Sequence, residues 1–289
     1  NIKVKDTKEA DDDGTNLGAA HFTSTSHDPV YRFQAPEDGT YRIAVQDLYR
    51  STQASPRLVY RLAIRPESPD FRLIVQPEYP LDGRNAPNPW TPFLRRGGTV
   101  RFDCMIFRRD GFAGEVALSV QGLPEGVTCA GSVIGPGQSA TRLILSAAED
   151  APVWSGEIKI IGTARIGDVD VVREARNSTV VWAGNPAVVR AADRVVLSVG
   201  ETAPLGMTAG VNRVELVQSS QLNIPFQIAR REGFTAKFVV TGDQLPPKVT
   251  NESVNVADNQ TEAIVHLFVE PDAPTGTYTL FVQGAGQVP

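Results

Sequence analysis

The residues whose side chains could take part in catalysis are few and far apart in this 289-residue chain. It contains three histidines, His21, His27 and His266, and none lies in a catalytic spacing with a serine, cysteine or carboxylate. His27 and Asp28 are adjacent, so on a strand their side chains would point to opposite faces. The sequence has no G-x-S-x-G nucleophile elbow and no Walker phosphate loop. We therefore predict no catalytic residues and no enzymatic activity.

An acidic stretch near the beginning of the chain is the candidate for a metal site. With Gly14 at the sixth position of a calcium loop, Glu9, Asp11 and Asp13 take positions one, three and five. The twelfth position, where such a loop needs a bidentate acid, is Ala20. We interpret the stretch as a solvated acidic segment, with calcium binding as the alternative, and expect no other cofactor.

Three tyrosines are candidates for a ligand surface. Tyr31, Tyr41 and Tyr60 could form an exposed aromatic platform for a polysaccharide or a protein. The competing interpretation is that strand alternation buries them, because aromatic residues of strands usually pack in cores.

Composition restricts the class of protein. The chain has 28 basic and 33 acidic residues, a net charge of −5, so it lacks the basic excess that a general nucleic-acid binder needs. No apolar run approaches the roughly 18 residues of a membrane span. We expect neither a nucleic-acid partner nor membrane insertion, and we expect a monomer.

The elements that would position any site are β-strands. From residue 100 to residue 106 apolar and polar side chains alternate with period 2, and similar short runs follow. Clusters such as Arg96-Gly97-Gly98 and Gly135-Pro136-Gly137 separate them. Short strands with turn signals between them predict an all-β chain of antiparallel sandwiches.

An internal repeat divides the chain. Residues 108–152 align without a gap to the residues 122 positions later, and 13 of the 45 pairs are identical. One shared segment reads Arg-Arg-acid-Gly-Phe, which we interpret as a strand-end turn with a positive φ at glycine; a paired-arginine binding site is the alternative. The repeat predicts two copies of one sandwich, at 93–182 and 187–289, joined to the preceding chain by a proline-rich linker at 77–92.

We predict a different β unit at residues 1–80, which makes three sandwiches in series, and a partial sandwich is the alternative to a complete one. Asp38-Gly39 supplies the turn of a hairpin. The strands that we expect in this unit are at 30–35, 41–45, 58–64 and 71–75.

The two cysteines fall in one predicted sandwich. Cys104 has the parity of the apolar residue Phe102, and Cys129 has that of Val127, so both could point inward. In an oxidising compartment two nearby thiols pair, and we expect a disulfide. The alternative is two free thiols, because the repeat places Phe226 and Asn251 at the equivalent positions.

Two resemblances can be named from these residues. The run at 28–43, DPVYRFQAPEDGTYRI, resembles the core hairpin of the bacterial pre-peptidase C-terminal domain, a small sandwich appended to exported proteins. The two copies, with GLPEGVT at 122–128 and Asp150-Ala151-Pro152, are similar to Ig-like modules beside bacterial secreted glycosidases and surface proteins. The combination resembles exported proteins of environmental bacteria, including planctomycetes.

The resemblance implies a structural or binding appendage and brings no catalytic residue with it. We expect non-catalytic spacer, adhesion or presentation modules, located extracellularly, in the periplasm or on the cell surface. The alternative is an ancillary region that binds polysaccharide or protein for a secreted hydrolase whose catalytic domain lies elsewhere.

Overall fold

The computed structural model describes residues 10, 28–45, 59–78, 91–182, 188–211, 213–231, 233–243, 245–276 and 278–286. Nineteen strands and no helix occur in these ranges, which confirms the all-β class.

The first twelve strands build one sandwich and the last seven build another. The strands of the first sandwich are β1 Asp70–Pro77, β2 Phe93–Arg96, β3 Thr99–Arg109, β4 Val116–Gln121, β5 Val127–Cys129, β6 Ser132–Ile134, β7 Ala140–Ala147, β8 Trp154–Ile166, β9 Val169–Glu174, β10 Arg176–Trp182, β11 Val188–Ala192 and β12 Val195–Thr202. Those of the second sandwich are β13 Leu205–Ala209, β14 Gln221–Arg230, β15 Phe238–Asp243, β16 Val249–Asn251, β17 Val254–Val256, β18 Glu262–Val269 and β19 Phe281–Gly286.

The first sandwich has two sheets around one core. Their strand orders are β11-β10-β1-β3-β7-β5 and β2-β12-β8-β4-β6, with β9 paired to β8. Alternating apolar residues from both sheets meet between them, so that Phe71, Phe102, Leu143, Ile160 and Leu197 are completely buried. The burial of these side chains is the main stabilising contribution to this half of the molecule.

Strand pairing crosses both of the domain boundaries that the sequence predicted. β1, from the predicted 1–80 unit, pairs antiparallel with β3, and β12, from the predicted 187–289 unit, pairs antiparallel with β8. Both strands carry apolar residues at alternate positions, which complete the first core. Independent folding of the three predicted units stays a prediction, whereas the sheets show which strands share a core.

The second sandwich repeats the first in strand order and in register. Its sheets are β13-β14-β18-β16 and β17-β15-β19. The pair Leu118 with Gly162 in the first sandwich recurs as Val240 with Gly284, both shifted by 122 residues. This agreement confirms that the two copies share one arrangement of strands.

The segment before β1 differs from the expectation. Residues 28–45 and 59–69 contain no strand, although strands were expected at 30–35, 41–45 and 58–64. Their alternating apolar side chains are exposed, and without a ladder partner such a pattern does not establish a strand. The fourth expected strand, at 71–75, is formed, and it lies within β1.

Candidate functional site

The three candidate tyrosines lie at the surface and not in a core. Tyr31 is 46% exposed, Tyr41 43% and Tyr60 75%. Phe33, which the sequence analysis did not single out, packs edge-on against Tyr41 with 4.9 Å between ring centroids. Phe33 has the same parity as Tyr31, and this was the signal that could have identified it. The segment before β1, residues 28–45 and 59–69, therefore presents several large aromatic rings to solvent.

One ion pair joins two parts of the chain before β1, and another attaches this chain to the turn after β3. Arg32 pairs with Glu67, and the Arg65 guanidinium donates to the Asp110 carboxylate, with Nη2 3.0 Å from Oδ1. The backbone N–H of Ser68 also donates to Asp110, at 3.1 Å. The hydrogen bonds from Arg65 and Ser68 lower the pKa of Asp110 to about 2. The turn after β3 therefore anchors the chain that enters the first sandwich.

The first arginine of each repeated turn is used inside its own sandwich. The Arg108 guanidinium donates to the carbonyl oxygens of Gly114 and, at 2.7 Å, Gly135. Arg230 donates to the equivalent carbonyls of Ala236 and Ala257, each at 2.7 Å. Partial burial lowers the pKa of Arg108. These bonds favour a structural role over a paired-arginine binding site.

The glycines of the same turns have the predicted backbone. Gly111 has φ of 78° and Gly233 has φ of 83°, a region that strongly favours glycine. Phe112 follows the first turn and is 8% exposed, so it closes this end of the first core as expected.

The second arginine of the second turn fastens the two sandwiches together. Arg231 donates from Nε to the carbonyl oxygen of Ala203 at 2.8 Å, and its backbone N–H donates to Pro204 at 3.1 Å. Ala203 and Pro204 are the only residues between β12 and β13. On the other side, the N–H of Ala203 donates to the carbonyl of Arg96 at 2.8 Å. The short link is thus held from both sandwiches.

Charged side chains on the outer face of β3 and β7 also reach the second sandwich. Arg101 lies 3.1 Å from Glu78 and 3.7 Å from Asp243, and Arg142 pairs with Asp243. The amide of Gln283 accepts from Arg101 at 3.3 Å.

The expected disulfide is absent, and both thiols are free. Cys129 is opposite Leu145 on β7, which is in turn opposite Val100 on β3, so Cys129 lies two strands away from β3. Two strand spacings separate the α-carbons of Cys129 and Val100 by about 9.6 Å. Cys104 lies four residues beyond Val100 on β3, which adds to this distance. A disulfide needs α-carbons closer than about 7 Å. The parity of the two positions indicated that both thiols point to the same face of the sheet, but it did not give the distance between them. Burial raises the pKa of both thiols.

His266 lies on the outer face of β18, as its parity indicates. Its Nδ1 is 2.7 Å from Oδ1 of Asn223 on β14 and 3.3 Å from Nε2 of Gln221. Both of these partners are amide side chains, which neither ionise nor act as nucleophiles. The other two histidines, His21 and His27, lie outside the described residues.

The calcium candidates Glu9, Asp11 and Asp13 also lie outside the described residues. Within the described ranges, no group of three or more histidine, cysteine, aspartate or glutamate side chains could hold a metal ion. In the same ranges, no helix is long and apolar enough to cross a membrane.

Comparison with known proteins adds no family assignment. No protein-family model matches this sequence, and no curated protein matches it. Both resemblances therefore stay predictions, and the case for function rests on the geometry of the strands, the link and the exposed aromatic segment.

Proposed function

We propose that this chain is a non-catalytic segment of an exported bacterial protein, where it spaces, presents or attaches neighbouring parts. The main support is the joint between two sandwiches of the same strand order. β12 ends at Thr202 and β13 begins at Leu205, so only two residues separate a strand of one core from a strand of the next. A spacer needs joints of this kind, since a long flexible linker would leave the distance between its ends undefined.

The joint is fixed by contacts from both sides. Ala203 bonds to Arg96 of the first sandwich, and its carbonyl accepts from Arg231 of the second. Pro204 restricts the backbone further, because its ring fixes φ. The proposal also includes a location outside the cell or on its surface. This part of the proposal rests on the resemblance to exported proteins.

Distance measurements between spin labels test the stiffness of the joint. In a Cys129→Ser background, labels at Val172→Cys and Ile264→Cys, both exposed sites on different sandwiches, should give one narrow distance distribution. A flexible glycine-serine insertion between Ala203 and Pro204 should broaden it. A native distribution as broad as that of the insertion would contradict the spacer proposal.

The exposed aromatic segment favours a second candidate, an ancillary region that binds polysaccharide or protein. Tyr31, Phe33, Tyr41 and Tyr60 present ring faces suited to stacking on sugars. Pull-down on insoluble polysaccharides and a glycan array test it. Tyr41→Ala and Tyr60→Ala should each weaken capture, with Val59→Ala as a control at an exposed aliphatic position. Capture that is absent, or unchanged in both tyrosine variants, would eliminate this candidate.

A further inference from the structure

Three asparagines of this chain begin the tripeptide N-x-S/T with a middle residue other than proline. They are Asn177, Asn251 and Asn259. This tripeptide is the acceptor motif for N-linked oligosaccharides and belongs on surface loops of exported proteins. Because so short a motif also occurs by chance, the structure has to distinguish a usable acceptor from an unusable one.

Two of the three amides are engaged inside a sandwich. Asn177 lies on β10, where its Nδ2 donates to the carbonyl oxygen of Arg194 at 2.8 Å and its Oδ1 is buried. Asn251 lies on β16, where its Nδ2 donates to Oγ1 of Thr241 at 3.1 Å. Both asparagines are half-buried. An oligosaccharide on either amide would displace these bonds, so neither is a suitable acceptor.

Asn259 instead lies at the tip of the turn that joins β17 to β18. The N–H of Gln260 donates to the carbonyl oxygen of Ala257 at 3.2 Å, and Oε1 of Gln260 accepts from the N–H of Ala257 at 3.2 Å. These two bonds close the turn and leave Asp258 and Asn259 exposed. The Asn259 side chain has no hydrogen bond to a described residue, so its amide is available.

The third residue of this motif is at the surface as well. Thr261 is exposed and directly precedes β18. Its carbonyl oxygen accepts from the N–H of Ile228 at 2.7 Å, which holds the backbone, while its hydroxyl group has no bond to a described residue. The amide and the hydroxyl group that define the motif are therefore both accessible on a fixed backbone.

The first sandwich has the same turn with one decisive difference. Residues 137–139 read Gly-Gln-Ser where residues 259–261 read Asn-Gln-Thr. The Gln138 side chain accepts from the N–H of Gly135 at 2.8 Å, as the equivalent glutamine does in the second sandwich. Gly137 is exposed, and nothing beyond its chain neighbours lies within 4 Å of the place of a Cβ. The first sandwich has described chain both before and after it, so this exposure is a property of the turn itself.

We propose that Asn259 is the acceptor site for an N-linked oligosaccharide. In the reaction Nδ2 of Asn259 bonds to C1 of the first sugar of a lipid-linked oligosaccharide diphosphate. The bond from C1 to the diphosphate oxygen breaks, the lipid diphosphate leaves, and Nδ2 loses one proton. The site rests on the exported location proposed above, and it adds a bulky, hydrated group to the surface of the spacer.

A purified oligosaccharyltransferase that modifies N-x-S/T peptides, supplied with a lipid-linked oligosaccharide, tests the site on the folded full chain without requiring export. Intact mass and peptide mapping should show one oligosaccharide, on Asn259. Thr261→Val removes the hydroxyl group at nearly constant volume and should abolish the addition, whereas Thr261→Ser should retain it. Gly137→Asn places the motif in the equivalent turn of the first sandwich and should give a second addition, since asparagine tolerates the φ of 76° there.

Chymotryptic peptides of the same chain control for the chemistry of the motif. They present all three asparagines without the fold, and all three should be modified; an unmodified Asn259 peptide would overturn the proposal. A folded chain with no addition, or with as much on Asn177 or Asn251 as on Asn259, would also overturn it. Equal addition to the native chain and to Thr261→Val would do the same, and a Gly137→Asn chain with no second addition would contradict the role of the turn. A chain that is modified in this assay yet found only in the cytoplasm would contradict the exported location and support the acceptor site.

Discussion

Replacing Arg108 by alanine should destabilise the first sandwich by about 2–4 kcal/mol. The guanidinium donates to the buried carbonyl oxygen of Gly135 and to the half-buried one of Gly114. A hydrogen bond from a charged group contributes about 1.5–3 kcal/mol net, and partial exposure of the arginine reduces the sum of two. The guanidinium also lies 5.3 Å above the Phe112 ring, a contact that alanine removes.

Urea unfolding followed by tryptophan fluorescence measures this loss. All three tryptophans precede residue 183, and Trp154 packs against the first core, so the signal reports on the first sandwich. Arg109→Ala is the adjacent control, because that side chain is exposed, and it should change the free energy of unfolding by less than about 0.5 kcal/mol. Arg230→Ala removes the equivalent bonds from the second sandwich and should leave the tryptophan transition in place.

The result that would refute this reasoning is specific. If Arg108→Ala and Arg109→Ala have the same free energy of unfolding within about 0.5 kcal/mol, the two carbonyl bonds do not stabilise the fold. If Arg230→Ala shifts the tryptophan transition as much as Arg108→Ala does, the two sandwiches unfold as one unit.

Three further outcomes are expected. Lys248 has a φ of 63°, and the equivalent residue of the first sandwich, Gly126, has a φ of 74°. Lys248→Gly should therefore stabilise the second sandwich by about 1 kcal/mol and raise its calorimetric midpoint. An unchanged or lower midpoint would contradict this. A maleimide should label partly exposed Cys129 in the native protein much faster than buried Cys104, and equal rates by mass spectrometry would be inconsistent with this structure. The folded-state pKa of Asp110 is about 2 against an ordinary 3.8, so its stabilising contribution is present above pH 4 and is lost as the pH falls towards 2. Asp110→Asn should flatten the acid limb of the stability profile between these pH values, and a limb identical to the native one would refute the role of Asp110.

The features that sequence reasoning predicted correctly are local or repeated ones. The alternation from residue 100 to residue 106 is β3, because side chains of a strand point alternately to its two faces. The offset of 122 residues reproduces the register of the second sandwich, because equivalent apolar residues must face equivalent cores. The positive φ of Gly111 and Gly233 follows from the turn chemistry of their shared segment.

The features that it missed depend on residues far apart in the chain. The alternation in β1 indicates a strand without naming its neighbour, and only the tertiary structure pairs it with β3. Cys104 and Cys129 share a face, but their separation depends on strand order across the sheet. The role of Arg108 was equally hidden, since one of its two carbonyl partners, Gly135, lies on the loop after β6, 27 residues further along the chain.

Sequence alone thus determined that the chain is all-β, that it contains two copies of one arrangement, and where their turns fall. The tertiary structure decided which strands share a core and that the candidate tyrosines are exposed. The physical reason is the range of the interactions. Side-chain alternation and turn conformation act over a few residues, whereas strand pairing and burial depend on which distant segment lies alongside.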